Sequence, residues 1–193
     1  MNNYHIYLFR HGGTSFNESH KFTGWLNSKL TKKGRNKSKI IAKKLKNKKI
    51  DAAFQTRLSR SKETLKEILK FHPECKKIII DNRMIERNYG KFQGKYHKTI
   101  IKKYGKKQFD IWHRSYDVAP PRGESIKDVE KRVNSFIKFL IQYIKKNKVN
   151  VAISAHGNSM RPFRRYFEKM TIKQMMKLEN PYDDYFDYII KVR

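Results

Sequence analysis

The chain reads as an α/β domain of three layers, helix on sheet on helix, around a mostly parallel central sheet. Three observations predict it. Short apolar runs bounded by loop signals recur along the chain, as in strands buried on both faces. Between them lie segments whose apolar residues fall three and four apart, so strands alternate with helices. The 193 residues suffice for one domain with a real core.

In order, the first strand is expected over Tyr4–Phe9, breaking at once into Arg10-His11-Gly12. Thr31 is placed to cap a helix carrying Ile40, Ile41 and Leu45. Ala52–Phe54 reads as a second strand. A helix follows Arg57, with Leu58, Ser61, Leu65, Ile68 and Leu69 on one side. Lys77–Ile80 is a third strand. Residues 83–122 break the rhythm, being rich in aromatic and basic residues and poor in β-branched ones. They read as an irregular or helical, lid-like insertion over the carboxyl edge of the sheet, where ligands bind in open α/β folds. Ser125 or Glu124 starts the clearest helix, whose stripe is Ile126, Val129, Val133, Phe136, Ile137, Leu140, Ile141 and Ile144. Val149–Ser154 is a fourth strand and runs into Ala155-His156-Gly157-Asn158; Tyr185–Val192 is the last. No linker or repeat divides residues 1–193, so one domain is expected.

Bulk chemistry narrows the class. Cys75 is the only cysteine, which excludes an intramolecular disulfide and makes a reducing compartment, the cytoplasm, the expectation. No apolar run approaches the length that crosses a bilayer, and the N-terminus lacks a signal pattern, so no membrane partner is expected. The 46 Lys and Arg against 17 Asp and Glu give a net charge of +29. Such a field draws in small anionic substrates. The basic residues are spread over nearly every helix, and lysine, asparagine and isoleucine are all frequent, as in a chain drawn from A- and T-rich codons. Nucleic acid is therefore not the expected partner, although the charge permits it. The sequence leaves the oligomeric state open.

The chemistry centres on two strand ends that break into His-Gly. A neutral imidazole such as His11 can attack phosphorus. That attack needs the phosphoryl oxygens held by fixed positive charge and aligned N–H donors. Arg10 is adjacent, Arg60 starts the helix after the second strand, and the arginine fork suits phosphate oxygens. Asn17 and Thr23-Gly24 supply neutral donors and a close backbone. His156, followed by Gly157-Asn158 at a helix start, adds a donor and a helix N-terminus, a natural anion site. Glu86 can give a proton to an ester oxygen leaving phosphorus and take it back; the competing reading is an ion pair with Arg83 or Arg87. The histidines and the single cysteine lack ligand spacing, so no metal is expected. His5, His20 and His72 read as surface or turn residues. Trp25, Trp112 and the tyrosines of Asn180-Pro181-Tyr182-Asp183-Asp184-Tyr185 read as packing residues.

The motifs carry a resemblance. Leu8-Phe9-Arg10-His11-Gly12, Asn17 and Phe22-Thr23-Gly24-Trp25-Leu26-Asn27 with Leu30 resemble the opening signature of the histidine phosphatase superfamily. Phe54-Gln55-Thr56-Arg57-Leu58-Ser59-Arg60-Ser61 with Thr64, Ile85 to Gly94, and Ala155-His156-Gly157-Asn158-Ser159 resemble its later motifs, in the same order. Lys103-Tyr104-Gly105, Gln108, Trp112, Arg114-Ser115-Tyr116-Asp117 and Pro120-Pro121 are similar to the cofactor-dependent phosphoglycerate mutase branch. The resemblance implies a phosphoglycerate mutase-like fold and interconversion of 3-phosphoglycerate and 2-phosphoglycerate through a phosphohistidine, primed by 2,3-bisphosphoglycerate without a metal. It implies that His11 is the nucleophile and Glu86 the general acid and base, with Arg10, Arg60 and His156 holding the phosphoryl group. Asn17, Thr23, Gly24, Gly157 and Asn158 would contact phosphate; Arg87, Tyr89, His97, His113 and Arg114 would hold the remainder of the acid.

Three departures keep alternatives open. His97 stands where the branch usually has lysine, and His113-Arg114 where it has two arginines, which weakens the grip on an acidic group near neutral pH. The third concerns the end of the chain. It falls at Arg193, where the mutases typically run on into a tail that closes the site, and a missing lid favours hydrolysis. A phosphomonoesterase of the same superfamily is the second expectation. A basic polyanion-binding protein without catalysis is the third.

Overall fold

A computed structural model describes residues 2–192. Five strands form one sheet: β1 (Asn2–Arg10), β2 (Ala52–Gln55), β3 (Lys77–Ile80), β4 (Val151–Ala155) and β5 (Tyr185–Val192), in the order β3-β2-β4-β1-β5. The first four pair in parallel, and β5 runs antiparallel along β1. All five expected strands are present. The fourth begins at Val151 rather than Val149, because the Asn150 N–H and side-chain amide are taken by the Asp51 carboxylate, which ends the loop there.

Among the described residues, eight α-helices accompany the sheet: α1 (Ser15–Glu18), α2 (Lys32–Leu45), α3 (Ser59–Leu69), α4 (His97–Tyr104), α5 (Lys106–Arg114), α6 (Ile126–Asn147), α7 (Gly157–Glu168) and α8 (Ile172–Lys177). The pleat divides the core between two faces. Ile6, Leu8, Phe54, Val151 and Ile153 face the stripe of α6 and the inner side of α7. Tyr7, Phe9, Ala53 and Ala152 face Ile41 and Leu45 of α2 and Leu65 and Ile68 of α3. This makes the three layers. Ile40, one residue off the α2 stripe, is exposed.

Helix starts follow local chemistry. The Thr31 hydroxyl accepts from the Gly34 N–H at 3.0 Å. Ser125, not Glu124, caps α6: its hydroxyl accepts from the Asp128 N–H, and the Asp128 carboxylate accepts from the Ser125 N–H. The α6 residues Val129, Val133, Phe136, Ile137, Leu140 and Ile144 are all fully buried. Burial of each contributes about 1.5–3 kcal/mol relative to exposure.

The stretch 83–122 carries two short 3-10 turns, Asn82–Met84 and Gly90–Phe92, then α4 and α5. Its own core of Tyr89, Phe92, Ile100 and Phe109 closes on Phe22. It thus lies against the Phe22-Thr23-Gly24 loop at one end of the sheet.

Candidate active site

Strand register brings the two histidines together. In the parallel pairing Arg10 stands opposite Ala155, so His11 and His156 leave neighbouring strands at the same level. The His11 N–H donates to the Ala155 carbonyl at 3.0 Å. The ring centroids are 4.9 Å apart, at the carboxyl end of the sheet. Thr56, just past the third adjacent strand β2, has its Oγ1 2.8 Å from His156 Nε2.

His11 is buried, and its Nδ1 lies 2.7 Å from the Gly12 carbonyl, which can only accept. The proton therefore sits on Nδ1 and the lone pair on Nε2. Arg60 Nε donates toward that lone pair at 3.3 Å. Burial, with Arg60 and Arg10 nearby, holds the His11 pKa well below the ordinary histidine value. His156 is held low for the same reasons, burial first, then Arg60. Both imidazoles are neutral at pH 7, and His11 presents a nucleophilic nitrogen flanked by cations.

Arg60 is 1% exposed yet charged. Burial lowers its pKa only to about 10. Its Nη atoms donate to the carbonyls of Leu26 and Gly24, so the same guanidinium fixes the Thr23–Leu26 loop and faces His11. Gly24 sits at φ +52°, where a Cβ would meet Gln93 Oε1 at 2.2 Å. Arg10 donates to the Asn180 carbonyl and lies 3.9 Å over the Tyr182 ring. A Cβ at Gly157 would stand 3.2 Å from the Arg10 guanidinium, which explains glycine behind the second histidine.

These groups border a cleft of about 680 Å³. Arg10, His11, Asn17, Thr23, Gly24, Arg60, Glu86, Tyr89, His97, His113, Arg114, Gly157 and Asn158 all line it. His156 lies just beneath, with no exposed surface. Arg10 Nε, Thr23 Oγ1, His113 Nδ1 and His156 Nδ1 are buried and lack a protein partner, as expected around a site shaped for a polar ligand.

Glu86 makes neither of the ion pairs considered from sequence. Arg83 pairs with Asp81, and the Arg87 side chain spends its fork on the carbonyls of Glu124, Trp112, His113 and Val118. Glu86 Oε1 instead accepts from the backbone N–H of Arg87 at 2.7 Å and of Asn158 at 3.2 Å. Arg87 is fully buried behind the wall and does not line the cleft, contrary to the substrate-binding role expected for it. It anchors the α5 end of the wall.

The remaining histidines and aromatic residues meet expectation in part. His72 occupies a turn, as one of its two readings had it, but is buried there, with Nδ1 3.0 Å from Glu74. His5 lies within β1 beside Asp187. His20 occupies a turn at φ +51°, as expected. Trp25 donates from Nε1 to the Glu86 carbonyl at 2.7 Å, and Tyr182 forms part of the cleft, so neither is mere packing. Sequence reasoning missed Arg161 and Lys21, which line the cleft, and the role of Thr56. Arg161 lies four residues after Gly157 on α7, a same-face spacing that could have found it.

At the end formed by the insertion, His97 and His113 pack 5.3 Å apart against Phe22 and Phe109, with Arg114 on the same wall. Burial pushes His113 down to about 4, helped by His97 and Arg114, and burial also lowers His97. Permanent positive charge on the cleft wall beyond Arg10 and Arg60 comes from Lys21, Arg114 and Arg161, and Glu86 and Glu179 are the carboxyl groups on it.

The ligand atoms of His11, Glu86 and His156 lie within 4.8 Å of one another, a spacing a small cation could use. Arg10 and Arg60 put fixed positive charge in the same place, and His11 Nε2 already faces Arg60. The arrangement suits an anion.

A protein that gathers two neutral imidazoles, two guanidinium groups and a carboxyl at the carboxyl edge of such a sheet is built for transfer of a phosphoryl group. The model of the histidine phosphatase superfamily (branch 1) matches residues 6–185, and the chain belongs to that superfamily. A phosphoglycerate mutase of Schizosaccharomyces pombe is 38% identical over 178 residues, 90% of this chain and 84% of that protein. A 2,3-bisphosphoglycerate-dependent phosphoglycerate mutase of Chlamydia abortus is 34% identical over 202 residues, covering 91% and 89%. The mycobacterial glucosyl-3-phosphoglycerate phosphatase shares the fold, with a TM-score of 0.82 at 20% identity over 96% of this chain and 90% of that one.

Proposed function

We propose that this enzyme is a phosphoglycerate mutase working through phospho-His11. The observation that carries the reading is the His11 ring, with Nδ1 bound to the Gly12 carbonyl and its Nε2 lone pair turned to Arg60. Arg10 and Arg60 offset the charge of the phosphoryl oxygens, and the N–H groups at the start of α7 add oriented donors. Phospho-His11 passes its phosphoryl group to the 2-hydroxyl of 3-phosphoglycerate while Glu86 takes the hydroxyl proton. The 3-phosphoryl group then goes to His11, and Glu86 gives the proton to the departing oxygen. Bound 2,3-bisphosphoglycerate would supply the priming phosphoryl group, and the site fits it: unpartnered donors surround His11, and Lys21, Arg114 and Arg161 can hold a second acidic group. The relatives named above support the same substrate.

A second reading, a phosphomonoesterase, is favoured by one observation. His97 and His113 are uncharged at pH 7 and give the second acidic group less hold. Weak retention lets the intermediate leave and water reach phospho-His11. Product analysis separates the two. With 3-phosphoglycerate and a trace of 2,3-bisphosphoglycerate, 2-phosphoglycerate is expected; inorganic phosphate alone would overturn the mutase reading in favour of the esterase.

A further inference from the structure

Glu86 lies in a connection without regular structure, between the short turn at Asn82–Met84 and the one at Gly90–Phe92. A proton donor on such a segment needs its backbone held, since a small displacement removes its hydrogen bond to the reacting oxygen. Four consecutive carbonyls there are held by side chains from α6 and α7. Arg132 Nη1 donates to the carbonyls of Arg83 at 2.7 Å and Ile85 at 2.8 Å. Arg132 Nη2 donates to the carbonyl of Glu86 at 3.0 Å. The Ser159 hydroxyl donates to the carbonyl of Met84 at 2.7 Å.

Arg132 is itself fixed. Its Nε and Nη2 donate to the two oxygens of Glu124 at 2.9 and 3.1 Å. The Glu124 carboxylate also accepts the N–H of Asn88 at 2.8 Å, and the Glu124 and Asn88 backbones pair in return. All five Arg132 contacts go to the backbone of Glu86 and the residues just before it, or to the carboxylate that holds Asn88. The planar fork of arginine is what lets one side chain reach three carbonyls and a carboxylate at once.

We propose that Arg132, locked by Glu124, is a positioning residue that aims the Glu86 carboxyl at the leaving oxygen. This rests on Glu86 being the proton donor. A lysine at the position keeps the charge but cannot span the set. R132K should therefore lose the proton delivery while keeping phosphate binding.

The test compares two aryl esters in the first turnover, before His11 is dephosphorylated. Phenyl phosphate has a poor leaving group that needs the proton; dinitrophenyl phosphate has an acidic phenol that leaves without it. E86Q should slow release of phenol by about a hundredfold or more and leave dinitrophenol release near the wild-type rate. R132K should reproduce that pattern, with a loss of roughly a hundredfold on phenyl phosphate alone and unchanged affinity for inorganic phosphate. The same molecules turn over both esters, so loss of folded protein scales both rates equally and leaves their ratio intact; R132Q serves if the lysine variant does not accumulate. Equal slowing of both esters by R132K, with E86Q selective, would overturn the positioning role. An E86Q that is not selective, or wild-type protein that releases neither phenol, would instead overturn the reading beneath it.

Discussion

Arg60 donates from Nε to Nε2 of His11 across 3.3 Å, while its two Nη atoms hold the carbonyls of Gly24 and Leu26. One buried guanidinium thus faces the His11 lone pair, adds to burial in keeping the imidazole neutral, and shapes the loop that presents Thr23. Replacement by lysine removes the fork but keeps a charge. R60K is expected to lower kcat by about 10²–10³, as for loss of one aligned oxyanion donor. Steady-state kinetics at saturating substrate check this; a kcat within threefold of wild type would contradict it.

Thr56 holds His156 by its Oγ1, 2.8 Å from Nε2. T56V keeps the shape of the side chain and removes that bond. Stability should fall by about 0.5–1.5 kcal/mol. Turnover should fall more than affinity, because the His156 ring just beneath the cleft loses its orientation. Urea melts and kcat against KM separate the two effects, and a variant with altered KM only would count against the assignment.

Burial holds His113 at about 4, far below the ordinary histidine value, and holds His11 and His156 low as well. The unfolded chain therefore binds protons on these groups before the folded chain does. Their contribution to stability is complete above about pH 6.5 and is lost as pH falls toward 4. The melting temperature should drop on acidification through that window, and less steeply in H113N than in wild type. Parallel curves would refute the assignment.

Arg161 donates to the Met176 carbonyl and lines the cleft, where burial lowers its pKa. R161M should weaken 3-phosphoglycerate by roughly tenfold or more, since a hydrogen bond to a charged group contributes about 1.5–3 kcal/mol. Inorganic phosphate should bind it almost as before. Calorimetry on both ligands reads the difference; equal losses would place Arg161 at the phosphoryl end instead.

The central strands β1, β2 and β4 were legible because parallel strands buried in the sheet are continuous apolar runs, the edge strands β3 and β5 showed as isoleucine-rich runs although most of their residues are exposed or half-buried, and the His-Gly breaks were legible because the ladder ends there. Pairing was not: nothing local says that Arg10 faces Ala155, the register that joins His11 to His156. Arg87 shows the opposite failure. Beside Glu86 in sequence, it sends its side chain backwards into four carbonyls, and a motif records neighbours but not directions. Tyr182 and Asn180 reach Arg10 from the loop before β5, some 170 residues away, which no spacing rule could find.

In the proposed cycle His11 carries the phosphoryl group. Brief incubation with labelled 2,3-bisphosphoglycerate, alkaline quenching and peptide mapping test it directly. Acid-labile label on the peptide containing His11, absent from H11A, is the expected result. Label that persists in H11A, or wild-type protein that takes up none, would contradict it.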